Sequence, residues 1–197
     1  QRGLVRLAWG HVGWANMFTT KPVKTLNEMK QLRIWSSGDE GMVRWYRQNG
    51  FRVELSSLGD LPISLQSGKI EGIPISPLIA SANQWYKQTK YMLDLGIAPI
   101  IGALVIAKPT WDAFPEAQKT EFMRAAREME ATLEKTVPDQ DRAAVAALQS
   151  RGLLTVIKAE GPEWRAAGQS LAQAMTGGMA EVYPAVLKAR DAFRQKK

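Results

Sequence analysis

Apolar and polar positions change period every few residues through the first hundred, and each change marks an element. Leu4 to Trp9 reads as a strand. Thr25 and Glu28 form a capping box that opens a short helix over Leu26 to Lys30. Leu32 to Trp35 is a strand stopped by Ser36-Ser37-Gly38. Asp39 and Glu40 then open a helix to about Asn49, where Gly50 suits the position after its end. Arg52 to Leu55 is the next strand. A helix from Asp60-Leu61-Pro62 to Gly68 follows, then a strand over Ile70 to Ile75 that Gly72 and Pro74 interrupt. Pro77 to Lys87 is helical and Tyr91 to Leu95 extended. Strands separated by helices of about ten residues imply parallel pairing through right-handed crossovers.

The second half changes character. Gly102 to Ala107 is a continuous apolar run, fit for a sheet buried on both faces. From Pro115 a long helical pattern sets Phe122, Ala126, Met129, Leu133 and Val137 on one apolar stripe. Pro138 interrupts it before Asp139 to Gln149 resumes; a proline there removes a hydrogen bond and bends the axis, as suits a helix passing between two lobes. Leu153 to Lys158 is a strand. Pro162 begins a helix with Trp164, Gly168, Leu171 and Met175 on one face, ended by Gly177-Gly178. Met179 to Phe193 is a last helical pattern bent near Pro184. The alternation predicts an α/β chain that crosses between lobes.

Composition narrows the chemistry. The 197 residues contain no cysteine and one histidine, His11, which excludes thiol nucleophiles, disulfide scaffolds and any self-contained metal site needing two imidazoles. The formal charge of +7 is scattered: residues 1–100 hold 12 basic and 7 acidic side chains, residues 101–197 hold 14 and 12. A nucleic-acid surface would concentrate that excess in a stripe with interleaved aromatics, so no nucleic-acid partner is expected. The longest apolar stretch, Gly96 to Ala107, is 12 residues broken by Pro99, too short to span a bilayer. The chain opens Gln1-Arg2-Gly3-Leu4 without Met, as expected if an upstream segment such as a signal peptide was removed or not included. Seven tryptophans are the first hint of a binding role.

The order of motifs resembles a known family. Lys21-Pro22-Val23-Lys24-Thr25 with Glu28-Met29-Lys30-Gln31-Leu32-Arg33-Ile34 resembles the segment ending in "K-G-L-K-I" of TRAP-transporter (tripartite ATP-independent periplasmic) solute-binding proteins, the DctP-like receptors. Asn49-Gly50-Phe51 is similar to the turn after the next helix. Leu58-Gly59-Asp60-Leu61 through Leu65-Gln66-Ser67-Gly68-Lys69-Ile70-Glu71-Gly72 resembles "F-S-E-V-Y-x-A-L-Q-x-G-x-V-D-G". Tyr86-Lys87 with Thr89-Lys90-Tyr91-Met92, Val105 to Pro115, and Glu116-Ala117-Gln118-Lys119 match in turn. Six motifs stand in the family's order across residues 3–120, and Arg151-Gly152-Leu153 resembles a seventh. The resemblance covers nearly all of this chain but lacks the family's N-terminal portion. It implies a periplasmic-binding-protein type II-like α/β fold of two lobes with parallel-rich sheets and a long kinked interlobe helix. Residues 13–100 with 141–176 would form lobe two, residues 1–12 with 101–140 a remnant of lobe one, and residues 177–197 a C-terminal helical tail.

The resemblance also implies a function: a periplasmic receptor that captures a small organic ligand in the interlobe cleft and delivers it to TRAP membrane permease subunits, without cofactor, metal or membrane insertion. The alternative is a ligand-sensing or interaction module of the same fold without transport. The family's hallmark arginine, which forks a substrate carboxylate, corresponds to Trp35, with Arg33 two residues earlier on the same strand face. The family's cleft asparagine falls at Ile75 or Ser76, and its cleft phenylalanine at Leu58. Asp39 and Glu40 already complement the following helix dipole, leaving less need for a bound anion. A less acidic, more apolar or aromatic ligand is therefore expected, stacked on Trp35 and on Trp14 or Trp9, an acid not being excluded. Trp35 stands between ligand contact and plain packing. His11 and Trp14 lie near the expected cleft mouth, where a structural role for His11 competes with ligand contact. Ser36 and Ser37 either cap the next helix or offer hydroxyls to the ligand. Trp45, Trp85, Trp111 and Trp164 read as core. No enzyme motif is present: neither G-x-S-x-G, nor a P-loop, nor G-x-G-x-x-G. The acid pairs Asp39/Glu40 and Asp139/Asp141 sit in helix openings where acids are ordinary.

Overall fold

In the computed structural model, residues 3–175 are described, with Pro184, Ala185, Lys188 and Ala192 beyond them. Most of the last helical pattern, and the glycine stop before it, lie outside the described residues. The chain divides into two compact units, Gln1–Val23 with Glu71–Lys158 and Lys24–Ile70 with Ala159–Lys197.

The first unit is organised by β1 (Leu4–Thr19), longer by ten residues than the apolar alternation predicts. It pairs antiparallel with β4 (Gly72–Ile75) through Asn16↔Ile75 to Thr19↔Gly72, and with β5 (Tyr91–Ala107) from Leu4↔Ala107 to Thr19↔Tyr91. Three register shifts interrupt the second ladder, one of them between His11 and Trp14. The antiparallel pairing of β1 departs from the parallel pairing expected of strands separated by helices; β5 with β6 (Thr155–Lys158) does run parallel. The extension was illegible because Ala15, Asn16, Met17, Phe18 and Thr19 are consecutively buried, which erases the period of two.

A second correction concerns Gly102 to Ala107. This apolar run is the outer half of β5 rather than a separate strand, and it is not buried on both faces: Leu104 is 43% and Val105 44% exposed. Leu7, Ala8 and Ala126 form a small core there, joined by Val5, Ile106, Trp111, Met123 and Met129. Phe122, expected on the buried stripe, stands 44% exposed, and Trp111 is half-buried.

After β4 comes α4 (Pro77–Ala82), which stops early; Gln84 takes φ 57° and a single 3-10 turn, Trp85–Lys87, follows. Helix α5 (Lys108–Asp112) leads to α6 (Glu116–Ser150), one 35-residue helix that contains Pro138. Thr136 Oγ1 donates to the Thr132 carbonyl at 2.8 Å, one of several such back-bonds along the helix. Val137, Asp141 and Leu148 are its buried positions around the proline.

In the second unit, α1 (Leu26–Gln31) carries the expected capping box: Thr25 accepts from the Glu28 N–H at 3.2 Å. The Glu28 carboxylate accepts from the Lys24 and Thr25 amides, which hold its pKa below the ordinary range. Strands β2 (Arg33–Ser36) and β3 (Arg52–Leu55) pair in parallel through the crossover helix α2 (Glu40–Gln48). Helix α3 (Leu61–Gln66) follows, and α7 (Pro162–Met175) contributes Trp164 to the core. Trp45, Tyr46 and Phe51 form an aromatic cluster with centroids 5.3–5.5 Å apart, and the Trp45 indole donates to Ser170 Oγ at 2.9 Å. Among the described residues no helix is long and apolar enough to cross a membrane.

Each unit's core offers a test. Phe18 is fully buried, so Phe18→Ala should cost about 3–5 kcal/mol in a urea titration. Burial pushes the Tyr46 phenol up to about 12. An unfolded tyrosine ionises near 10, so between about pH 10 and 12 the unfolded chain loses a proton the native one keeps, and stability falls as pH rises. The stability advantage of wild type over Tyr46→Phe should therefore shrink by about 2 kcal/mol across that window.

Candidate functional site

The expected site residues fall in both units. In the second unit, Trp35 and Ser36 close β2 at its carboxyl end, where ligands gather in parallel α/β sheets. Trp35 is only 8% exposed and its indole Nε1 donates to the Ser56 carbonyl at 3.1 Å. Ser36 is buried, and its Oγ accepts from the Gly38 amide at 3.3 Å; Gly38 takes φ 102°, which lets the chain turn there. Ser37 is exposed. Asp39 caps α2, accepting from the Met42 amide at 2.8 Å. Leu58 is 54% exposed in a turn that Ser57 and Asp60 fasten by a 2.7 Å hydrogen bond.

Arg33 is at the other end of the same strand. Its Nε donates to the Lys69 carbonyl at 3.1 Å and its Nη2 to the Gly68 carbonyl. The guanidinium thus holds the turn after α3, while Trp35 and Ser36 stand buried at the carboxyl end of β2.

In the first unit, His11 lies opposite Ile101, half-buried, and its Nδ1 is buried with no hydrogen-bond partner among the described residues. Trp14 is 47% exposed opposite Pro99. Ile75 is buried at the end of β4, and Ser76 is fully buried as the cap of α4, its Oγ accepting from the Ile79 amide at 3.4 Å. Trp14 lines a concavity of about 480 Å³ with Asn16, Pro77, Asp94, Asp141 and Arg142. Apolar wall residues of this hollow include Met92 and Val156.

Two buried polar residues of this hollow lie outside the expected site, and one of them, Asp141, sits inside α6 and not in a helix opening as expected. Asn16, 8% exposed, accepts on Oδ1 from the Leu95 and Gly96 amides at 3.0 and 2.9 Å. Asp141, also 8% exposed, accepts from the Trp14 amide at 3.1 Å and from the Leu78 amide at 2.9 Å. The signal for Asp141 was present: it stands four residues after Val137 and seven before Leu148, an acid on the buried stripe of α6. Asn16 carried no such signal, being one polar residue inside a buried strand. Among the described residues no group of three or more His, Cys, Asp or Glu could hold a metal ion.

The sequence matches a family model described as bacterial extracellular solute-binding protein, family 7 (DctP), over residues 1–177. No curated protein matches it significantly. Among solved structures, a TRAP periplasmic solute-binding protein from Pseudomonas putida F1 with bound D-glucuronate is similar at 22% identity and TM-score 0.83, over 91% of this chain and 58% of that one. Another, from Pseudomonas aeruginosa PAO1 with bound L-malate, gives 14% and 0.80 over 88% and 61%. A third, from Sulfitobacter sp. with bound α-D-taluronate, gives 15% and 0.81 over 99% and 61%. The chain spans about three fifths of the length of these structures. At such identities the likeness shows the fold, that of the type II periplasmic-binding proteins.

The indole–carbonyl bond of Trp35 is directly testable. Trp35→Phe keeps most of the ring volume but leaves the Ser56 carbonyl without its donor. It should lower unfolding free energy by about 1–2 kcal/mol in a urea titration.

Proposed function

Because the chain belongs to family 7 of the bacterial extracellular solute-binding proteins, we propose that it serves as the periplasmic receptor of a TRAP-type secondary transporter. It captures a small organic solute by closing two lobes around it, the closed state being favoured because the ligand touches both. The closed form then delivers the solute to the membrane permease. In this reading residues 13–100 with 141–176 belong to one lobe and residues 1–12 with 101–140 to the other. The protein binds and releases its ligand unchanged and is not an enzyme.

The ligand is less acidic than a dicarboxylate and carries an apolar or aromatic part. One observation carries this: the carboxyl end of β2 offers the indole of Trp35, while the guanidinium of Arg33 is engaged by the Gly68 and Lys69 carbonyls. An indole face stacks on apolar or aromatic surface and provides no counter-charge for a carboxylate. Trp14, half exposed beside the hollow of the first unit, supports the same preference. Ser36, Ser37, Leu58, Ile75, Ser76 and His11 are the remaining proposed contacts.

Native mass spectrometry of the complete protein as purified should reveal a retained small molecule. In isothermal titration, benzoate should bind more tightly than succinate, and Trp35→Ala should weaken benzoate by about tenfold or more. Tight succinate binding that survives Trp35→Ala would refute the proposed ligand class.

A further inference from the structure

Asp141 stands out among the polar groups that the binding reading does not use. It is an acid on the buried face of α6, and both of its carboxylate oxygens accept backbone amides from elements distant in sequence. Oδ2 takes the Trp14 N–H at 3.1 Å, and Oδ1 takes the Leu78 N–H at 2.9 Å. The first donor is the residue at which pairing with β5 resumes, opposite Pro99, after the register shift that follows His11. The second belongs to the first turn of α4, whose early amides have no partner within the helix. One carboxylate thus satisfies both amides.

Gly13 makes this arrangement possible. It is buried at φ 108°, and a Cβ built there would stand 2.7 Å from Ser76 Cβ and collide with the Asp141 carboxylate. A side chain at this position would therefore both strain the backbone and expel the acid. The hydrogen bonds flank two candidate binding elements, the exposed Trp14 ring and the Ser76–Pro77 turn.

We infer that Asp141 is a positioning residue: its carboxylate locks Trp14 and the start of α4 to helix α6, so that these binding elements of the first unit are held as one piece. This rests on the receptor reading for its link to ligand, but not for the lock itself. Ionised acceptors form the stronger class of hydrogen bond, and a buried one whose donors are backbone amides admits little rearrangement.

Native-state hydrogen exchange tests the lock without any ligand. In wild type the Trp14 and Leu78 amides should exchange through a common opening despite their separation in sequence. Asp141→Asn turns one acceptor oxygen into an NH₂ donor. It should speed exchange at these two amides by about tenfold or more, leaving the β2–β3 amides unchanged. Gly13→Ala should select the same two amides by displacing the carboxylate. Independent openings in wild type, or acceleration spread evenly over the protein, would overturn the proposal.

Binding is read separately. If wild type retains benzoate, succinate or D-glucuronate, Asp141→Asn should raise the Kd of that compound about tenfold. An unchanged Kd alongside lost protection would overturn the positioning role. If none of the three binds, the proposed ligand class fails, while the exchange result still decides the lock.

Discussion

The antiparallel pairing of β1 with β5 is the constraint from which the first unit is built. It joins residue 4 to residue 107 and residue 19 to residue 91, and β4, β6, α4, α5 and α6 are placed against it. β4 attaches to the buried end of β1, β6 to the inner end of β5, and α6 packs along β1. The inner halves of the two strands hold the fully buried Met17, Phe18 and Leu93. Met17 and Phe18 point to opposite faces and are both fully buried, so misplacing β1 by one residue would exchange the side chains of the two faces and mispack both. The three register shifts are therefore specific features. Beside the shift after His11 the Trp14 amide bonds to Asp141, and at the shift before Met17 Asn16 caps two amides of β5.

Local chemistry explains which elements the sequence disclosed. The capping box of Thr25 and Glu28, the Asp39 cap, Gly50 after α2 and the strand Arg52–Leu55 depend on neighbours within a few residues, and all stand where the pattern puts them. What the pattern concealed depends on distant partners. β1 is hidden because burial on both faces removes its alternation. The exposure of Leu104 and Val105 is hidden because an apolar run records composition and not what covers it. Pro138, by contrast, reads as an interruption within one long helix, and α6 does continue through it, since one missing N–H in a helix of this length is tolerated when the remaining turns are packed.

The candidate site follows the same division. The placement of Trp35 at a strand end was legible from its neighbours; Ser36, read as part of the turn that stops the strand, is the strand's last residue, and Asp39 caps the next helix. That Arg33 holds the Gly68–Lys69 turn was not, because its partners lie some 35 residues away. The tryptophans separate by their handles. Trp35 and Trp45 each use the indole N–H inside the protein, whereas Trp9 and Trp14 stand about half exposed. Trp9 and Trp14 thus leave ring surface exposed, while Trp35 is 8% exposed at the carboxyl end of β2.

The length of the β1–β5 ladder also sets an order of events for a chain emerging from a ribosome. Residues 4–19 contain the strand that centres the unit, but most of its hydrogen bonds await residues 91–107, and Asp141 comes later still. Pairings this remote in sequence are slow to form, since the loop between them must close before any bond repays it. Until then an apolar strand stays without its edge partner. Cells making this protein must keep it unaggregated over that interval, a requirement written into the topology and independent of what the folded protein binds.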